Sequence, residues 1–169
     1  MLPNIDLRIA NMIKAVEQVI LPALPDRERL ARDQAMLVAG HLRMIGDQWK
    51  WALAYEQISL DDLAGLGRVL LSHVAPLLQE QLEEALAVAD TCDRSSITAL
   101  EQANIVLGRV VDRIILGEGD PNPLPQAVAD AVLDYGRRHA RRERIWFKGN
   151  RLDPDQADLP DIGAMMAKA

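Results

Sequence analysis

The sequence predicts an all-α protein, a helical bundle of about six helices with one long central helix. Two observations carry this. Apolar residues recur at steps of three and four along most of the chain, with no alternating strand pattern and no internal repeat. The 49% hydrophobic content rests on Leu, Val, Ile and Ala, with only three Trp, two Tyr and one Phe, a palette that suits helices better than a β-sandwich. At 169 residues and 26% charged, the chain reads as one folded domain over residues 1–148. A polar tail follows over residues 149–169, either mobile or laid across a partner.

The central helix is expected from Asp26 to about Glu56. Leu30, Leu37, Val38, Leu42, Ile45, Trp49 and Leu53 form one apolar stripe predicted to be buried. Beside it runs a ridge of small residues, Ala31, Ala35, Ala39 and Gly46, which lets a neighbouring backbone approach. At about 1.5 Å per residue such a helix would extend roughly 45 Å.

Before it, a first helix from about Asn4 to Leu21 buries Ile5, Ile9, Met12, Val16, Val19 and Ile20, with Asn4 as its cap. Pro22 and Pro25 end it and fold it back on the central helix. Ser59 and Asp62 read as a capping pair for a third helix carrying Leu63, Leu66, Leu70 and Val74. Gly65 and Gly67 mark close helix contact within it. Pro76 either kinks that helix or starts the next, whose stripe is Leu78, Leu82, Ala85, Leu86 and Ala89.

A helix capped at Ser95 or Ser96 runs to about Leu116 and is the second most apolar element, with Asn104 on or beside its inner face. A hydrogen bond that sets helix register is the simplest role for that asparagine. Gly117 to Pro125 is a Gly- and Pro-rich break. The last helix begins near Gln126 and carries Val128, Val132, Tyr135, His139 and Trp146 at helical spacing.

Val19-Ile20-Leu21-Pro22-Ala23-Leu24, followed by Leu37-Val38-Ala39-Gly40-His41-Leu42-Arg43, resembles small all-helical bacterial proteins of unassigned function. Those proteins accompany acyl-CoA dehydrogenases and aminoglycoside-phosphotransferase-like kinases. The resemblance covers the first quarter of the chain. It implies a helical fold without a known reaction and transfers no site residues.

Charge is the most informative chemical feature. The net charge is −6, yet Arg137, Arg138, Arg141, Arg142, Arg144, Lys148 and Arg151 face only Glu143 over fifteen residues. Arg137, Arg141, Arg144 and Lys148 share one helical face, with Arg138 and Arg142 flanking it. Three readings compete: pairing with the chain's own acids, an acidic protein partner or dimer mate, and a small anionic ligand or nucleic acid. The acidic remainder repels a long polyanion, which ranks nucleic acid last.

Trp51 lies about 200° around the helix from the Trp49 stripe, where it serves either an interface with another subunit or packing against the chain's own later helices and core. No other constellation rises above chance. His41, His73 and His139 lack metal-ligand spacing, and Cys92 is the single cysteine. Gly65-Leu66-Gly67 and Gly117-Glu118-Gly119 fail as phosphate loops. Asp153 to Asp158 lacks the glycine and the closing glutamate of a calcium loop.

These features predict a cytoplasmic accessory or interaction protein without catalytic residues or cofactor, acting as a homo-oligomer, most simply a dimer, away from membranes. The candidate contact residues are Arg137, Arg138, Arg141, Arg142, Arg144 and Trp51. The alternative is a protein or enzyme subunit that binds a phosphate- or carboxylate-bearing small molecule of CoA type.

Overall fold

A computed structural model describes residues 4–118, 124–150 and 153–167. All its regular elements are helical: α1 Ile5–Ala15, α2 Arg29–Gln48, α3 Ala52–Leu70, α4 Pro76–Thr91, α5 Ile97–Ile115, α6 Gln126–Trp146 and the short α7 Ile162–Met166. None of the described helices is long and apolar enough to cross a membrane. The chain divides into two compact units. One comprises the residues through Lys50 together with Glu143–Ala167, and the other comprises Trp51–Arg142. α6 contributes residues to both units.

In the first unit, Asn4 caps α1 by accepting a 2.9 Å hydrogen bond from Leu7 N–H. After Ala15 the helix widens into a π-helical stretch, Val16–Ile20, and ends in one turn, Leu21–Ala23. Pro22 explains the widening. Its ring would collide with the carbonyl one α-turn back, and the wider turn moves that carbonyl aside. Arg32 Nη1 then donates to the carbonyls of Leu21 and Leu24, at 3.2 and 2.9 Å, closing the helix end.

The helix expected over Asp26–Glu56 is two helices. Glu28, not Asp26, occupies the cap position of α2. Asp26 instead stands 3.6 Å from Arg32. Trp49, Lys50 and Trp51 form a turn between α2 and α3. Asp6 of α1 fastens that turn, accepting from Trp49 Nε1 at 2.9 Å and pairing with Lys50 Nζ at 2.7 Å. The break contains neither Gly nor Pro, so no residue there announces it.

The second unit is organised around α5. Leu100, Ala103, Leu107, Val111 and Ile114 are all buried along one stripe of it. The main cluster adds Leu60, Leu63, Leu66 and Leu70 of α3, Leu78, Leu82 and Leu86 of α4, and Val128 of α6. Ser96 caps α5 through Ala99 N–H, and Pro76 opens α4 at its first turn after a 3-10 turn, Leu71–His73. Asn104 Nδ2 donates to both the carbonyl and a carboxylate oxygen of Glu56, tying α5 to α3.

Two expectations about α3 do not hold. Ser59 and Asp62 lie within the helix and not at its start. Gly65 faces open space, and only Gly67 marks a close approach, its missing Cβ standing 3.2 Å from Leu86 Cδ2.

The polar tail is ordered over 153–167 and belongs to the first unit. Ile145, Leu159 and Ile162 bury one another, with Trp146, Met165 and Met166 packed alongside. The 3-10 turn Lys148–Asn150 sits on α2, where a Cβ on Gly149 would come within 2.9 Å of Met44 Cγ. Arg151 and residues 119–123 of the predicted Gly117–Pro125 loop lie outside the described residues.

Candidate functional site

The most conspicuous surface of the first unit is the outer face of the α1–α2 hairpin. The two helices meet through Ile9, Val16 and the small-residue ridge of α2, with Ala39 buried at its centre. Small residues at the seam bring the backbones together and leave the large side chains outside.

Of the stripe predicted to be buried in the central helix, Leu42, Trp49 and Leu53 are half-buried and the other four residues are exposed. Leu30 is 74% exposed, and Leu37, Val38 and Ile45 are each about half exposed. On α1 and the π-helical stretch after it, Ile5, Met12 and Val19 are exposed at seven-residue spacing beside the buried Ile9 and Val16. The sequence located this stripe correctly but assigned it to the interior; the ridge of small residues beside it was the seam.

The two sides of the hairpin differ. Asp6, Ala10 and Ile13 of α1 face Arg43, Gly46 and Asp47 of α2 around a shallow polar-edged groove. Glu17 pairs with Arg43 on that side. On helical geometry, Met12 and Val19 then fall on the other side, next to Val38 and Ile45. That side carries the apolar face. Trp51, the expected interface anchor, stands at the turn before α3 and is 37% exposed.

The basic segment does not form one stripe. Arg137 pairs with Asp134 of its own helix. Arg144 forks onto Asp153, with Nε and Nη2 at 2.6 and 3.0 Å from its two oxygens. Lys148 Nζ donates to Leu159 O at 2.6 Å and lies 3.3 Å from Asp161. Arg141 is exposed.

Arg144 and Lys148 thus clamp the tail onto the end of α6. The Arg144 hydrogen bond, followed by that of Asp155 N–H, holds the Asp153 carboxyl below its ordinary range. Lys50 and then Trp49 do the same for Asp6.

Arg138 and Arg142 behave differently. Both reach Asp62 of α3, at 3.3 and 2.6 Å. Arg142 is buried, with only 7% of its side chain exposed. The sequence placed it at the margin of a solvent-facing stripe. Its burial could have been read from Val128, Val132, Tyr135 and His139, whose inward line at three- and four-residue steps arrives at position 142.

Comparison of the chain with protein-family models, curated proteins and solved structures finds no match. The class defined by fold and surface is an all-α protein whose N-terminal hairpin presents an apolar face.

Proposed function

We propose that this protein is a non-enzymatic interaction module that works as a homodimer, assembled through the outer face of the α1–α2 hairpin. One observation carries the reading: Leu30, Leu37, Val38 and Ile45 all stand exposed on one side of α2 among the described residues. Single exposed apolar residues are ordinary, but a contiguous patch rimmed by polar residues marks a binding surface.

A second copy is the occupant that suits it. The exposed apolar residues recur at seven-residue spacing, Leu30 and Leu37 as well as Val38 and Ile45 on α2, and Ile5 and Met12 on α1, a pattern that lets helices pack side by side. α2, of 20 residues, is about 30 Å long and α1, of 11 residues, about 16 Å; at about 10 Å across, the two helices present roughly 460 Å². That is a little over half of the roughly 800 Å² per partner of a stable interface. A twofold pairing brings the same stripe from each protomer together, so no other surface has to be complementary. Its large side chains are aliphatic, and Gln34 and His41 between them supply polar groups that can pair across a twofold interface.

Sedimentation equilibrium tests this. The wild type is expected to weigh twice the chain mass at micromolar concentration. Leu37→Glu with Ile45→Glu is expected to be monomeric with unchanged helicity, because both side chains are already half in solvent. A wild type that stays monomeric throughout, or a double variant that remains dimeric, contradicts the proposal. Monomers that bind lipid vesicles would reassign the same face to a membrane surface.

A further inference from the structure

The strongest unexplained chemistry lies in the second unit, where α3 and α6 meet. Arg142 spends only one nitrogen on Asp62, its Nη1 at 2.6 Å. Its Nε and Nη2 are buried and have no hydrogen-bond partner among the described residues. These two nitrogens make up one edge of the guanidinium. Elsewhere in this chain that edge forks onto carboxylates: Arg144 uses it on Asp153 and Arg113 uses it on Glu118.

Two other buried polar atoms lie within one turn of this pair. His139 Nδ1, three residues before Arg142, and Ser59 Oγ, three residues before Asp62, also lack partners among the described residues. The His139 ring is held by stacking on Tyr135, with centroids 5.6 Å apart. Asp62 is shared by Arg138 and Arg142, so two cations meet one carboxylate. Burying such an edge without an acceptor is costly, and a fold retains that cost where a ligand relieves it.

We infer that Arg142 is the anchor of a binding site for a small monocarboxylate. Asp62 fixes the guanidinium from one side through Nη1, and Nε and Nη2 take the two oxygens of the ligand in a bidentate fork. One negative charge completes the balance of Arg138, Arg142 and Asp62, which favours a monoanion over a doubly charged phosphate. His139 Nδ1 and Ser59 Oγ, each one helical turn along from Arg142 or Asp62, are the further polar groups open to such a ligand. The site uses residues of the second unit and the hairpin face residues of the first, so the two proposals are tested by different variants.

The test follows the Arg142 Nε–H resonance by nuclear magnetic resonance while sodium acetate replaces sodium chloride at constant ionic strength. A saturable shift of that resonance is expected with acetate, larger than any with inorganic phosphate. Arg142→Lys keeps the charge but loses the fork, and is expected to weaken acetate binding roughly tenfold or more, read from the Tyr135 and His139 ring resonances. No response to acetate in the wild type overturns the inference, and so does a response to phosphate alone. The wild-type titration decides the matter even if Arg142→Lys does not fold.

Discussion

Leu107 and Asn104 show how much single residues of α5 carry. Leu107 has no exposed surface, so Leu107→Ala removes buried methyl groups and leaves a cavity, an expected loss of about 2–5 kcal/mol in urea unfolding. Asn104→Ala removes two hydrogen bonds to Glu56, an expected loss of about 1–2 kcal/mol by the same measurement. Both roles were legible in the sequence. Leu107 lies on the inward line of an apolar helix, and a lone amide beside such a line is explained by a partner. The burial of Arg142 was legible in the line Val128, Val132, Tyr135 and His139, but its pairing with Asp62 was not, because nothing in the sequence says which helix packs against that line.

At the scale of elements, two glycines of α3 separate a packing role from none. Gly65 meets nothing within 4 Å, so Gly65→Ala is expected to stabilise by about 0.5–1 kcal/mol through helix propensity alone. Gly67 lies against Leu86, Leu82 and Leu107, and Gly67→Val is expected to cost about 1–3 kcal/mol through overpacking. Thermal unfolding of the two variants, with shifts of opposite sign, checks the pair.

The C-terminal clasp has a defined pH dependence. Asp153 titrates below its ordinary value because Arg144 holds its charged form. The clasp therefore contributes fully above about pH 4, where the unfolded carboxyl is also ionised, and is lost as pH falls through the lowered folded value. Amide protection across residues 153–167, taken as the intrinsic exchange rate divided by the observed rate at each pH, is expected to fall on acidification in the wild type. In Asp153→Asn it is expected to be low already at neutral pH and to change little with pH. An unchanged exchange rate in Asp153→Asn would show that the aliphatic contacts of Leu159 and Ile162 hold the tail alone.

Over the whole molecule, the all-α class was legible from periodicity, and the helix ends at Asn4, Pro76 and Ser96 from cap chemistry. The break at Trp49–Trp51 was not, because tertiary contacts to Asp6 make it. The partition of α2 was misread for a related reason. A helix with an apolar stripe beside a small-residue ridge has two surfaces fit for packing, and periodicity does not say which faces the same chain. In this protein the small ridge seats α1, and the large stripe of Leu30, Leu37, Val38 and Ile45 stays outside.

Assembly through that stripe is the central claim, and a distance between protomers tests it most directly. With Cys92 replaced by serine, a nitroxide is attached through cysteine at Asp33, an exposed position beside the stripe on α2. Pulsed dipolar spectroscopy is expected to give one narrow intermolecular distance. That distance is expected to vanish on dilution with unlabelled protein and in the Leu37→Glu, Ile45→Glu background. Absence of any intermolecular coupling, or coupling that survives those two substitutions, contradicts the account.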